Sequence, residues 1–86
     1  MTGPVQAANP AGANRITAAQ RVLSILAVFD IENAALSLSE ISRRTGLTLS
    51  TTHRLVNELR VWGALDRDSD GRYSTGLRIL ELGTTS

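Results

Sequence analysis

From Ile16 onward the large apolar residues return at helical spacing, and the pattern predicts a first helix from Thr17, a suitable N-cap, to about Phe29. Wound at about 100° per residue, Val22, Leu23, Ile25, Leu26 and Phe29 cover an arc of about 160°, wider than the roughly 100° stripe of a helix packed on one side. Val28 stands apart from that arc. Such width fits either a deeply buried helix or one with a second apolar contact beyond the domain's own core. After a short polar link, Ser37-Leu38-Ser39-Glu40 reads as a capping box: the Ser37 hydroxyl accepts from the amide three residues on, and Glu40 reaches back to the Ser37 amide. It starts a second helix over Leu38 to Thr45, with Leu38 and Ile41 turned inward and Ser42 beside them. Gly46 stops that helix in the left-handed conformation, Leu47 plugs the corner, and Thr48 caps a third helix from Leu49 to about Trp62, ended by Gly63. Two helices joined by a tight glycine turn with an apolar residue inside it form a helix-turn-helix pattern.

The third helix divides its residue types by face. Thr52, Leu55, Val56, Leu59 and Trp62 share the apolar side, while Ser50, His53, Arg54, Asn57 and Arg60 share the opposite one, with Thr51 and Glu58 on a border. Arginine is bidentate to guanine, asparagine is bidentate to adenine, and serine bonds either bases or phosphates, so the outward set suits base edges in a major groove. An ordinary solvent face more often carries acid–base pairs four residues apart, and Glu58 is the one acid here. Beyond Gly63, Ala64 to Asp68 and Arg72 to Thr75 flank Ser69-Asp70-Gly71, a turn signal between two short strands. A hairpin after a helix-turn-helix is a wing, whose donors toward phosphates would be Arg67 and Arg72, opposed by Asp66, Asp68 and Asp70. Gly76 to Leu82 resumes helical spacing with Leu77, Leu80 and either Ile79 or Leu82 apolar, and the pattern breaks at Gly83-Thr84-Thr85-Ser86. Met1 to Asn14, uncharged and without apolar period, is expected to be a disordered leader. The expected fold is mainly α with a small β-wing: a three-helix core, a two-stranded hairpin and the start of a linker helix, divided as leader 1–14, DNA-binding unit 15–75 and linker 76–86.

Charge at first argues against a polyanionic partner, since the 86 residues carry a net charge of only +1. The placement reverses that impression. Residues 43–60 hold Arg43, Arg44, Arg54 and Arg60 against Glu58, a net +3, while each flank is net −1. A focused basic face binds polyanions better than the total suggests. Composition removes other classes. With no cysteine and one histidine, a metal site has no ligand set, so neither metal nor cofactor is expected. Three aromatic residues cannot build the stacking platform of a single-strand binder. His53 and its neighbouring hydroxyls lie on an exposed helix face with no orienting third group, so no catalytic residue and no enzyme is expected. No apolar run reaches 18 residues and the leader lacks a signal-peptide pattern, which points to a cytoplasmic protein without a membrane partner.

Leu38-Ser39-Glu40-Ile41, Arg44-Thr45-Gly46-Leu47, Ser50-Thr51-Thr52-His53-Arg54-Leu55-Val56, Gly63-Ala64-Leu65 and Gly71-Arg72-Tyr73 together resemble the N-terminal domain of IclR-type transcription regulators. The resemblance covers Ile16 to Gly83. It implies a winged helix-turn-helix that binds double-stranded operator DNA as a homodimer, or a tetramer in the full-length protein. It also implies a linker helix at Gly76 to Gly83 leading to a C-terminal domain that binds a small-molecule effector and is absent from this chain. Ser50, Thr51 and Arg54 match the family's recognition helix. Where the family often has Pro-Lys before its Ser-Thr pair, this chain has Thr48-Leu49, losing one phosphate contact and gaining an apolar group that suits a thymine methyl. The candidate base contacts are thus Ser50, Thr51, His53, Arg54 and Asn57, and the candidate phosphate or wing contacts Arg43, Arg44, Arg60, Arg67 and Arg72. The competing class is a winged-helix protein-interaction module that recruits a partner through the first helix, although the outward arginine-rich face lacks the aromatic anchors of protein interfaces.

Overall fold

In the computed structural model, which describes residues 16–85, the first three helices each begin where a side chain satisfies a free amide. Helix α1 (Ala18–Ala27) is entered through a second capping box: Thr17 Oγ1 accepts from the Gln20 amide and Gln20 Oε1 accepts from the Thr17 amide, both at 3.0 Å. It stops two residues before the expected Phe29. The Val28 and Phe29 amides bond the carbonyls of Ile25 and Leu26, three residues back, so the last turn tightens and leaves the α-helical ladder. Asp30 then closes a turn by accepting from the Asn33 amide at 2.7 Å. The expected leader lies outside the described residues.

Helices α2 (Leu38–Thr45) and α3 (Leu49–Trp62) have the expected bounds. Both reciprocal bonds of the Ser37–Glu40 capping box are present. Gly46 takes φ +78°, a conformation that costs a side-chain-bearing residue steric strain and a glycine none. Three hydroxyl contacts stitch the turn between α2 and α3: Ser42 Oγ donates to the Leu47 carbonyl at 2.6 Å, Thr45 Oγ1 donates to the Ile41 carbonyl at 2.8 Å, and Thr45 Oγ1 accepts from the Leu47 amide at 3.3 Å. Ser42 and Thr45 at the end of α2 thus tie Leu47 of the turn back to that helix.

The hairpin pairs β1 (Leu65–Arg67) with β2 (Tyr73–Thr75) antiparallel, each strand shorter than the sequence pattern suggested. Asp68 and Arg72 belong to the turn instead: Asp68 Oδ1 accepts from the amides of Asp70 and Arg72, both at 2.9 Å, and Gly71 completes it. A third extended piece, unexpected from sequence, lies in the polar link. Leu36, only 2% exposed, exchanges both backbone hydrogen bonds with Tyr73 at 2.9 and 2.7 Å.

Around this frame Ile25, Leu36, Ile41, Leu55, Val56 and Leu65 form the core with Leu59, Ala64 and Tyr73, and Leu38, Leu47 and Ile79 pack at its margin. Thr52 is the buried polar residue among the described ones, and its hydroxyl is satisfied by the Thr48 carbonyl at 2.8 Å. Trp62 departs from expectation: it is 49% exposed, not part of the apolar seam. Helix α4 (Leu77–Gly83) meets the end of α3 there, with the Arg78 guanidinium 4.8 Å from the indole centroid and Arg78 Nε donating to the Trp62 carbonyl at 3.4 Å. Gly76 admits this crossing because a Cβ there would collide with the Gly63 carbonyl oxygen. Among the described residues no helix is long and apolar enough to cross a membrane.

Candidate nucleic-acid interface

Helix α3 is fixed on one side and open on the other. Thr52, Leu55, Val56 and Leu59 anchor it in the core, and Ser50, His53, Arg54, Asn57 and Arg60 stand exposed on the far side. Its first turn is held by Thr48, whose hydroxyl accepts from the Thr51 amide at 3.2 Å. Thr51 itself is half-buried on the border of the two rows. Leu49, 51% exposed at the same end, puts an apolar group beside the polar row. The arrangement offers hydrogen-bond donors and acceptors on a rigid rod, with the half nearest the turn richest in them.

The outward row does contain one acid–base pair. Arg54 Nη1 lies 3.6 Å from Glu58 Oε2, with the two side chains 59% and 63% exposed. An exposed pair of this kind contributes about 0–1 kcal/mol. A bidentate guanine contact is worth about 1–3 kcal/mol of discrimination, so a base edge can take Arg54 from Glu58.

Arg43 and Arg44 project from the last turn of α2, where the negative end of the helix dipole favours cations. Both are exposed, as is Arg60. Among the described residues the only ion pairs are Arg54–Glu58 and Arg72–Glu40, so Arg43, Arg44, Arg60 and Arg67 have no acid within 4.0 Å. On the wing, Arg67 lies over the Tyr73 ring at 5.7 Å from its centroid. Arg72 is turned the other way. Its Nη1 donates to Glu40 Oε1 at 3.3 Å and to the Ala35 carbonyl at 3.4 Å.

Two features of the site were not read from the residues alone. Asp68 has a second role beside its charge: its Oδ1 accepts from two turn amides, while Asp66, Asp68 and Asp70 all stand exposed on the wing. The Asp68-x-Asp70 spacing is an Asx-turn signal that could have shown this. Glu40 holds more than its helix cap. The Ser37 backbone N–H, then the Ser37 hydroxyl and the positive fields of Arg72 and Arg44, keep its carboxyl below the usual range against an opposing loss of hydration. A hollow of about 300 Å³ lined by Phe29, Asp30, Ile31, Ala34 and Thr75 brings together no set of titratable groups. Among the described residues no three His, Cys, Asp or Glu side chains are placed to hold a metal.

Comparison with known proteins gives one consistent result. The family model of the IclR helix-turn-helix domain matches residues 18–69. The HTH-type transcriptional regulator KipR of Bacillus subtilis (strain 168) is 39% identical over 61 residues, which is 71% of this chain and 24% of that protein. The HTH-type transcriptional regulator XynR of Escherichia coli (strain K12) is 33% identical over 69 residues, 79% of this chain and 27% of the other. Among solved structures, an IclR family transcriptional regulator from Brucella abortus superposes with a TM-score of 0.76 at 33% identity, covering 87% of this chain and 29% of that one. An IclR homolog from Microbacterium sp. strain HM58-2 gives a TM-score of 0.74 at 37% identity, covering 78% and 28%. The chain thus spans about a quarter of the length of the relatives it matches.

Proposed function

The chain belongs to the IclR helix-turn-helix family, and from that premise we propose that it lays the open side of α3 in the major groove of duplex DNA and reads base sequence there, as the DNA-binding domain of a transcriptional regulator. One observation carries the reading: α3 presents Ser50, His53, Arg54, Asn57 and Arg60 to solvent in a single row while Thr52, Leu55, Val56 and Leu59 hold the opposite row in the core. In this motif the first half of the second helix contacts base edges. Ser50, Thr51, His53, Arg54 and Asn57 are then the base contacts, with Arg54 suited to guanine and Asn57 to adenine. Arg43, Arg44 and Arg60 flank the row as phosphate contacts, and Arg67 serves from the wing.

The same reading assigns residues 15–75 to the DNA-binding unit and 76–86 to the start of a connecting helix. It pairs two copies through α1 and its entry, where Leu23 and Ile16 are 61% and 55% exposed. Regulation by a small-molecule effector would act through a C-terminal domain that α4 leads into. The reading gives His53 a place in DNA contact and no part in catalysis, and it puts the protein in the cytoplasm with the chromosome. Selection of duplexes from a random-sequence library, followed by fluorescence anisotropy on the enriched duplex, tests it. Enrichment of a defined sequence bound in preference to its scrambled form is the expected result. Folded protein that binds no duplex at low salt would sink the reading.

A further inference from the structure

The wing carries two arginines, and the structure gives them different surroundings. Arg67 is exposed on β1, over the Tyr73 ring, with no acid within 4.0 Å among the described residues. Arg72 sits at the turn end of the hairpin, one residue before the Tyr73–Leu36 backbone pair. In the antiparallel register of that pair Arg72 falls opposite Ser37, the N-cap of α2. Its guanidinium turns toward α2, bonding Glu40 Oε1 at 3.3 Å and the Ala35 carbonyl at 3.4 Å, while its own amide is held by Asp68 Oδ1 at 2.9 Å.

An isolated surface ion pair contributes little because two long side chains must be ordered to form it. Here one partner is ordered already: Glu40 Oε1 accepts from the Ser37 amide at 2.8 Å as part of the capping box, and its side chain is 28% exposed. Forming the pair therefore restricts Arg72 alone. Both contacts of Arg72 use Nη1, so a phosphate reaching the rest of the guanidinium would lie against a carboxylate that is itself fixed, with Asp68 close by. A phosphate reaching Arg67 displaces no ion pair.

Resting on the duplex-reading function above, we propose that Arg72 is a positioning residue for DNA binding: through Glu40 and the Ala35 carbonyl it locks the turn end of the wing to the front of α2, so that Arg67 is the wing's contact with the phosphate backbone. The lock ties the wing to the element that also sets the direction of α3. Its two halves lie 32 residues apart in sequence.

The test compares Arg72→Ala, Glu40→Gln and the double variant of the full chain, each shown to be folded by circular dichroism, on the enriched duplex. Glutamine at residue 40 preserves the helix start, since glutamine closes the equivalent box in α1 at Gln20. Both single variants should lose affinity several-fold, the double should lose no more than either, and exchange of the Leu36 and Tyr73 amides should quicken in all three. A phosphate ligand behaves oppositely. Glu40→Gln would then release Arg72 and tighten binding, and Arg72→Ala would lower the salt slope by about 0.9 with Glu40→Gln unaffected. That result overturns the proposal, as does a set of variants with wild-type affinity. If the wild-type chain binds no duplex, the reading above has failed instead, and unchanged amide exchange in the variants would overturn the lock independently.

Discussion

On the proposed reading Arg54 has two competing partners, and their relative strength decides its role. Glu58, exposed and 3.6 Å away, offers about 0–1 kcal/mol, whereas guanine O6 and N7 together offer about 1–3 kcal/mol. Arg54→Ala should therefore cost about 1–3 kcal/mol against the preferred duplex and little against a scrambled one. Arg43→Ala and Arg44→Ala should weaken both duplexes alike and lower the salt slope by about 0.9 each. Anisotropy titrations at several salt concentrations separate the two behaviours, and equal effects from all three substitutions would overturn the assignment. Glu40 makes a different prediction. Its folded pKa is depressed, chiefly by the Ser37 amide, so its contribution to stability is present above the unfolded carboxylate pKa and is lost as pH falls through the lower, folded one. Glu40→Gln should melt below the wild type at neutral pH, and the gap should close on acidification beneath the carboxylate range. Thermal unfolding at the two pH values measures it, and a gap that persists in acid would assign the effect to packing.

Elements whose causes are local were readable from the chain. The bounds of α2 and α3 follow from Ser37, Thr48, Gly46 and Gly63, each acting within four residues, and the two rows of α3 follow from its period. Elements whose causes are distant were not. Leu36 looks like one apolar residue in a polar link until Tyr73 pairs with it, and Trp62 looks like a core residue until Arg78 covers its ring. The Arg72–Glu40 pair, whose partners lie 32 positions apart, has no local signal at all. The junction of α3 with α4 is open to measurement because Trp62 is the single tryptophan in the chain. An exposed cation–π contact contributes about 0.5–1 kcal/mol, enough to hold α4 over the indole without setting global stability. Arg78→Ala should red-shift the Trp62 emission and raise its quenching by acrylamide while moving the melting temperature only slightly. Gly76→Ala should go further, because the new methyl meets the Gly63 carbonyl and the crossing itself must open, with a cost of about 1–3 kcal/mol. Unchanged quenching in both variants would mean that α4 does not depend on this joint.

At the scale of the whole molecule, the unpaired apolar surface and the geometry of a duplex constrain each other. The described residues span 45 × 34 × 24 Å. Two recognition helices reading successive turns on one face of DNA must lie about 34 Å apart, so two copies side by side fit that spacing if they meet along a narrow strip. Leu23 on α1, 61% exposed, and Ile16, just before the Thr17 cap, offer such a strip. Fully burying a leucine or isoleucine contributes about 1.5–3 kcal/mol, and these are already partly covered. Four such side chains across a two-fold axis contribute too little to offset an association cost of about 4–15 kcal/mol at a comfortable margin. DNA changes this balance by holding both copies at high effective concentration. The chain should therefore sediment as a monomer when free and as two copies on a palindromic duplex. Leu23→Glu, on an exposed position outside the core, should leave the fold and the affinity for a single half-site unchanged while abolishing the second copy's preference for the occupied duplex. A Leu23→Glu chain that still assembles two to a palindrome with wild-type cooperativity would move the interface off α1.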